Sequence, residues 1–228
     1  MPFSYRFPQP NNTFFEEEIT PSTQLLINEA IEQGMQVTIP EGTRLVIFSK
    51  NGKTGIVQAQ TPQTTSYIGY YATEDKGVCR ALLSQAGLQV PMGYTLRTGQ
   101  AKSDWSKVYE SLSKPLVVKP THGTQGKKVF MNIISEETYV SAVEKCFEHP
   151  TGEGSGVIVE EQFAGQEYRI IATREEALAV MCRIPANVLG DGVHSIEELI
   201  TIKNADPRRS DHEAGLLDKI IPDNIVFA

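Results

Sequence analysis

The stretch VVKPTHGTQGKKVF, residues 117–130, constrains the fold more than any other part of the chain. An apolar run ends in a lysine and a proline, a loop with two spaced glycines follows, and two lysines precede a second apolar run. Two such runs around a glycine-containing loop predict a β-hairpin. Glycines let backbone N–H groups approach a bound oxyanion closely, and a lysine at a strand end adds fixed positive charge. The stretch therefore predicts either a phosphate site or a plain hairpin loop.

The loop differs from two familiar phosphate-binding motifs. It lacks the four-residue spacing and the trailing GK[ST] of a Walker A loop, and it does not contain G-x-G-x-x-G. Because the loop alone leaves both readings open, the neighbouring segments have to decide between them.

Composition limits the partners. With 228 residues and a net charge of −7, the chain has room for one or two domains, and it has no basic blocks that favour nucleic acid or an anionic membrane. No apolar segment approaches the ~20 residues of a membrane span, and the first residues do not resemble a signal peptide, so we expect a cytoplasmic protein. The 3 cysteines and 4 histidines show no disulfide or zinc spacing.

The first part of the chain mixes helices and strands. PSTQLLINEAIEQG and TEDKGVCRALLSQAG predict capped amphipathic helices, the second with Val78, Leu82 and Leu83 on one face. MQVTIP and TRLVIFSKNGKTGIVQAQ predict short strands, and Asn51-Gly52 is a strong signal for a hairpin turn. LQVPMGYTL continues in an extended form.

A different alternation begins near residue 102. KSDWSKVYESL, SEETYVSAVEKCFE and SIEELITIKNAD predict helices, whereas PLVVK, KVFMNII, VIVEEQF, QEYRIIAT and ALAVMCRIPAN predict strands. HPTGEGSG reads as a connector, and Gly190-Asp191-Gly192 as a tight turn. The pattern predicts an α+β fold, with antiparallel or mixed sheets covered by helices on one side.

Four features, taken in order, resemble the nucleotide-binding half of an ATP-grasp ligase over residues 75–204. They are the helix start Asp75-Lys76 with AGLQVP after it, the strand VVKP, the loop THGTQGKKV and the segment VIVEEQFAGQEYRII. The resemblance implies an incomplete ATP-grasp fold. It divides the chain into an N-terminal segment 1–74, a linker helix region 75–114, a small lid subdomain 115–172 and the start of a C-terminal subdomain 173–228.

The resemblance also implies a role for each ATP-binding position. A triphosphate carries about four negative charges, which suits two lysines arriving from separate elements and a glycine loop that folds over the γ-phosphate. In the hinge after VIVEE, a strand edge would expose main-chain groups to adenine. The implied phosphate residues are Lys76, Lys119, Gly123, Gln125, Gly126 and Lys127; those for adenine and ribose are Glu160, the main chain of Glu161 and Phe163, and Glu167.

Within the superfamily, several segments resemble the glutathione synthetase module of bifunctional glutamate-cysteine ligase/glutathione synthetase. RIPANVLGDGVHSIEELITIKNADPRR also resembles the ATP-grasp domain of cyanophycin synthetase. Lys128 departs from the pattern, since the family loop usually has its last glycine there. Arg183 is the implied catalytic cation, with Arg169 and Asn187 near substrate or phosphate, although an arginine paired with a nearby glutamate remains an alternative. The Gly190–Gly192 segment could equally be only a turn.

The expected function is ATP-dependent ligation of a small-molecule carboxylate to an amine through an acyl phosphate, as in glutathione biosynthesis. ATP and Mg²⁺ are the implied cofactors, and γ-glutamylcysteine and glycine the implied substrates. None of the 8 asparagines follows an acidic residue by two positions, so the carboxylate-x-Asn metal motif is expected outside these residues, in a C-terminal half. That half, or a second copy of the chain, is the expected partner. The alternative is a non-catalytic nucleotide-binding or regulatory module.

Overall fold

The computed structural model describes residues 5–6, 19–124, 126–148, 156–210 and 217–221. The chain forms two compact units, one made of residues 1–65 and 166–228 and the other of residues 66–165. The boundaries between the units fall inside the predicted segments 1–74 and 115–172. The division into four segments therefore stays a prediction.

In the first unit, an antiparallel sheet of five strands in sequential order packs against one helix. Helix α1 begins after Thr20, whose hydroxyl accepts the Thr23 N–H, and its buried side chains Ile27 and Ala30 join Val37, Ile39 and Val46 in a core. The turn residues Asn51 and Gly52 have φ of 52° and 72°, as the predicted tight hairpin requires. The elements are β1 (Tyr5–Arg6), α1 (Pro21–Glu32), β2 (Gln36–Pro40), β3 (Leu45–Lys50), β4 (Lys53–Gln58) and β5 (Thr61–Pro62).

The second half of this unit contains a two-stranded antiparallel hairpin and a capped helix. Every residue of the hairpin strands is exposed, although many of them are apolar. Helix α6 begins with a capping box formed by Ser195 and Glu198. The elements are β10 (Glu167–Ala172), β11 (Ala177–Arg183), α6 (Ile196–Asn204), β12 (Arg209–Ser210) and β13 (Leu217–Asp218), the last two being a short parallel pair.

The second unit is built on a four-stranded antiparallel sheet in the order β6-β9-β7-β8. Gly93 lets β6 lie close to β9, because a Cβ at that position would meet the Val159 carbonyl oxygen at 2.3 Å. The strands are β6 (Gly93–Arg97), β7 (Leu116–Pro120), β8 (Phe130–Ile133) and β9 (Gly156–Glu161).

Helices α4 and α5 share one core with this sheet. Tyr139 and Val143 of α5 are fully buried, and Trp105 of α4 stacks on Phe147 at a centroid distance of 5.7 Å. Helix α3 carries Leu82 and Leu83 on its exposed surface instead. The helices are α2 (Tyr67–Glu74), α3 (Lys76–Gln85), α4 (Lys102–Ser111) and α5 (Glu136–Phe147).

The α+β class, the predicted helices and the predicted strands are confirmed within the described residues. Helix α2 was not predicted from the sequence. The signal for it was Ser66, whose hydroxyl caps the helix by accepting the Gly69 N–H at 3.0 Å. Most of the predicted connector, residues 149–155, lies outside the described residues. Among the residues described, none of the helices has the length and apolarity needed to cross a membrane.

Candidate nucleotide-binding site

Strand β7 places Lys119 at the edge of the core of the second unit. Leu116, Val117 and Val118 are buried, so the strand is held firmly up to the lysine. In the β7–β9 register Val117 lies opposite Glu160 and Lys119 opposite Ile158, which puts Lys119 and Glu160 diagonally on one face. Their side chains form an ion pair in which they are 23% and 10% exposed.

Helix α3 brings a second lysine to the end of the same strand. The buried Asp75 caps the helix, since its Oδ1 accepts the N–H groups of Gly77 at 2.7 Å and Val78 at 3.0 Å. The Lys76 N–H donates to the carbonyl of Thr121, just after β7, at 2.9 Å. This backbone bond fixes the start of α3 beside the end of β7.

The Lys76 ammonium reaches into the glycine loop. Its Nζ donates to the Gly123 carbonyl at 2.6 Å. Burial lowers the pKa of Lys76 below its ordinary value, and the positive charge of Lys119 lowers that pKa further. The Lys76 and Lys119 charges therefore lie close enough to repel each other, and the Glu160 carboxylate offsets the charge of Lys119.

The loop itself bends through left-handed conformations. Gly123 and Gly126 have φ of 117° and 71°, and Lys128, which replaces the expected glycine, has φ of 58°. The Lys128 ammonium donates to the Lys145 carbonyl in the last turn of α5 at 3.0 Å. Lys127 is exposed, and Gln125 lies outside the described residues. Lys128 therefore keeps a glycine-like backbone and is anchored to a helix C-terminus.

The predicted adenine hinge follows β9. The Glu161 N–H donates to the Met92 carbonyl and the Gln162 N–H to the Pro115 carbonyl, both at 2.9 Å. Strand β9 is thus flanked by β6 and β7, and the Glu161 N–H is already bonded within the sheet. Phe163, beyond the end of the strand, is largely exposed.

The remaining predicted residues lie in the first unit. Glu167 faces Arg183 across the β10–β11 hairpin, and Arg183 Nη1 donates to Glu167 Oε1 at 2.6 Å. Arg169 is two residues from Glu167 and therefore on the same face. Asn187 Nδ2 donates to the Pro185 carbonyl at 2.8 Å. The structure therefore brings Arg183 to a glutamate, which is the alternative that the sequence had left open.

The Gly190–Gly192 segment is a turn into α6. Asp191 Oδ1 accepts the N–H groups of Val193 and His194, and its Oδ2 lies 2.6 Å from His194 Nδ1. The hydrogen bonds from His194 and Val193 hold the pKa of Asp191 at about 2. Asp191 therefore caps the bend at residues 192–194 that leads into α6.

Three residues at the site escaped sequence analysis. Thr121 is fully buried, and its hydroxyl accepts the Gly156 N–H, which ties the loop to the start of β9. Gln162 and Asn132 bond each other next to the hinge. Thr121 gave no separate signal, whereas an asparagine inside the strand KVFMNII is a sign of a bulge.

A metal site is not evident in this part of the molecule. Over the described residues, no three His, Cys, Asp or Glu side chains come together as metal ligands.

Comparison with known proteins gives several relatives. The glutathione biosynthesis bifunctional protein GshAB is 31% identical over 208 residues in Listeria innocua and 33% over 209 residues in Clostridium perfringens. Both alignments cover 90% of this chain and 26% of the relative. Cyanophycin synthetase of Crocosphaera subtropica is 32% identical over 215 residues, which are 91% of this chain and 23% of that protein. The chain thus spans about a quarter of the length of the curated relatives it matches, and no family model matches it.

A solved structure agrees with the sequence relatives. The bifunctional glutathione synthetase of Pasteurella multocida superimposes with a TM-score of 0.55 and 26% identity, over 91% of this chain and 28% of that protein. Sequence and fold therefore lead to the same group of proteins. The chain is homologous to the bifunctional glutathione-biosynthesis proteins and the cyanophycin synthetases, and it has the fold of part of an ATP-grasp ligase.

Proposed function

We propose that this chain is the ATP-binding portion of an ATP-dependent ligase that joins a carboxylate to an amine through an acyl phosphate. The observation that carries the proposal is that Lys76, at the start of a helix, contacts the glycine loop close to Lys119, on a strand of the same unit. The homology to glutathione-biosynthesis proteins supports a peptide-type product. The same homology gives no support to the alternative of a non-catalytic module.

In the proposed complex, the triphosphate replaces contacts that the lysines make within the protein. Lys119 loses part of its interaction with Glu160 and binds phosphate oxygens instead. Lys76 leaves the Gly123 carbonyl and binds the same triphosphate. Release of Gly123 frees the loop to fold over the γ-phosphate, where Gly126 and Lys127 contribute N–H and ammonium donors. Gln125 is assigned to this loop from the sequence resemblance alone.

The base is read at the end of β9. The Glu161 N–H already donates to the Met92 carbonyl. We therefore assign the Glu161 carbonyl and the Phe163 N–H to the adenine ring. The Glu160 carboxylate accepts from the exocyclic amine of adenine. Guanine has a carbonyl oxygen at that position and offers no donor, so the site is expected to prefer ATP to GTP.

From the sequence resemblance alone, Glu167 of the β10–β11 hairpin is assigned to the ribose hydroxyls and Arg183 to the transferring phosphoryl group. In the structure these two side chains neutralise each other. A hydroxyl group bound to Glu167 would release the Arg183 guanidinium from this ion pair. Arg169 and Asn187 are assigned to the substrate carboxylate and the phosphate.

Mg²⁺ belongs to the complete enzyme, where it would neutralise charge on the transferring phosphoryl group. Its ligands are proposed to come from polypeptide outside these residues or from a second chain. The residues of this chain bind and orient ATP. We therefore expect ATP binding that is largely insensitive to Mg²⁺, and no detectable ADP release with γ-glutamylcysteine and glycine.

Calorimetric titration with ATP tests the assignment. Lys119→Ala should weaken ATP binding by about 1.5–3 kcal/mol, the range for a hydrogen bond to a charged group, and Lys76→Ala should weaken it comparably. Lys107→Ala is the matched control, because Lys107 is an exposed lysine of the same unit that pairs with Asp104 on α4. Unchanged affinity in both site variants would contradict the proposed phosphate site.

A further inference from the structure

Strand β8 contains a bulge at its asparagine. Leu116 pairs with Ile133 and Val118 with Phe130, so one step of two residues on β7 faces a step of three on β8. Asn132 takes up the extra residue with φ of 57°, a left-handed conformation that asparagine tolerates better than most residues. The bulge leaves the Asn132 N–H to bond a group outside the regular ladder.

That group is the side chain of Gln162. The Asn132 N–H donates to Gln162 Oε1 at 2.7 Å, and Gln162 Nε2 donates back to Asn132 Oδ1 at 2.9 Å. The Gln162 N–H donates to the Pro115 carbonyl as well. Gln162 is therefore held by three hydrogen bonds, through both its main chain and its side chain.

Gln162 lies between the two residues whose main chain is assigned to adenine. Glu161 is its predecessor and Phe163 its successor, and Phe163 is largely exposed, with little packing of its own. Main-chain carbonyl and N–H groups that bind a base selectively have to be held in position within a fraction of an ångström. The contacts of Gln162 supply that restraint where packing does not.

We propose that Gln162 and Asn132 are positioning residues of the base site, which set the discrimination of ATP from GTP without touching the nucleotide. This inference rests on the proposed function, since it requires adenine to bind beside residues 161–163. The bulge explains why an asparagine occurs in the middle of β8. The paired amides explain why a glutamine stands between two hinge residues.

The test measures the dissociation constants of ATP, GTP and inorganic tripolyphosphate for the whole chain and its variants. Gln162→Leu and Asn132→Gly each should lower the ATP-to-GTP preference roughly three- to tenfold, the affinity equivalent of a modest hydrogen bond or two. The double variant should lose no more than Gln162→Leu alone, because Gln162→Leu removes both side-chain hydrogen bonds and Asn132→Gly removes only the one to Asn132 Oδ1. Tripolyphosphate, which has no base, should bind all of them equally.

Two further variants keep the test decisive. Gln162→Glu retains an acceptor for the Asn132 N–H but loses the donor to Asn132 Oδ1. The ATP-to-GTP preference of this variant should therefore lie between that of wild type and that of Gln162→Leu. Gln85→Leu, an exposed glutamine of α3, is the control and should leave the preference unchanged. Melting temperatures recorded alongside separate loss of fold from loss of positioning.

The outcomes separate the two proposals. A wild-type chain that binds ATP and GTP equally would overturn the base site, and this inference with it. A wild-type chain that prefers ATP, together with a Gln162→Leu variant that keeps the full preference, would overturn this inference alone. Equal weakening of ATP, GTP and tripolyphosphate in Gln162→Leu would show a merely structural role and also overturn it.

Discussion

Strand β7 and the β10–β11 hairpin both carry predicted site cations, yet their surroundings are opposite. Around Lys119, three of the strand residues before it are buried and the ion pair with Glu160 is mostly shielded. Around Arg183, every strand residue is exposed and the ion pair with Glu167 is open to solvent, at 59% and 61% exposure. Of these two cations, only Lys119 is held in place by the packing of its own unit.

The largest difference in the free energy of unfolding should appear when a valine is shortened to alanine in each of the two regions. Val118 is fully buried on β7, whereas Val180 on β11 is 62% exposed. Val118→Ala removes buried methyl groups and leaves a cavity, so it should lower the free energy of unfolding by about 2 kcal/mol. Val180→Ala should change it by less than about 0.5 kcal/mol. Urea denaturation followed by circular dichroism measures both, and equal losses would show that the hairpin is packed as tightly as β7.

The two ion pairs give the next largest contrast. Glu160→Gln leaves the Lys119 ammonium without its carboxylate in a mostly shielded place, which should cost about 2 kcal/mol of unfolding free energy. Glu167→Gln removes an exposed pair and should cost at most about 0.5 kcal/mol. Both are read from the same denaturation curves. A cost for Glu167→Gln that matches the cost for Glu160→Gln would remove the distinction between the two regions.

Much of this contrast could not be predicted from the sequence. Short apolar runs predicted β7, β10 and β11 equally well, because such a run looks the same in a packed strand and in an unpacked one. Asp75-Lys76 and VVKP predicted the two lysines, but the contact of Lys76 with Gly123 depends on how α3 docks at residue 121. The Gln162–Asn132 pair joins residues 30 positions apart, which local rules do not relate.

Lys128 sharpens the comparison within the loop of the packed unit. Lys128→Ala keeps the left-handed backbone but loses the bond to the Lys145 carbonyl, whereas Lys128→Gly loses the same bond and relieves the backbone strain. The glycine variant should therefore be more stable than the alanine variant by about 1 kcal/mol. Thermal unfolding measures the order of the two. An alanine variant as stable as the glycine variant would mean that residue 128 is not left-handed in solution.

The smallest expected effect is the pH dependence that comes from Lys76. Its pKa in the folded protein is lowered, mainly by burial, so between that value and the ordinary 10.5 the unfolded chain holds a proton that the folded chain has lost. Unfolding then takes up a proton, and stability contributed by this group rises with pH across the window. Lys76→Met lacks this titration. The unfolding free energy of wild type minus that of Lys76→Met should rise with pH in alkaline buffer, and a falling difference would mean that the pKa is raised.

The central claim is that ATP binds where Lys76, Lys119 and the glycine loop meet. Hydrogen–deuterium exchange of the whole chain, with and without ATP, tests it most directly because the exchange of each peptide reports its own position. ATP is predicted to slow exchange in peptides covering residues 119–128 and 160–163, and the double variant Lys76→Ala/Lys119→Ala is predicted to lose that effect. Slowed exchange confined to other segments, or the same protection in the double variant, would contradict the account.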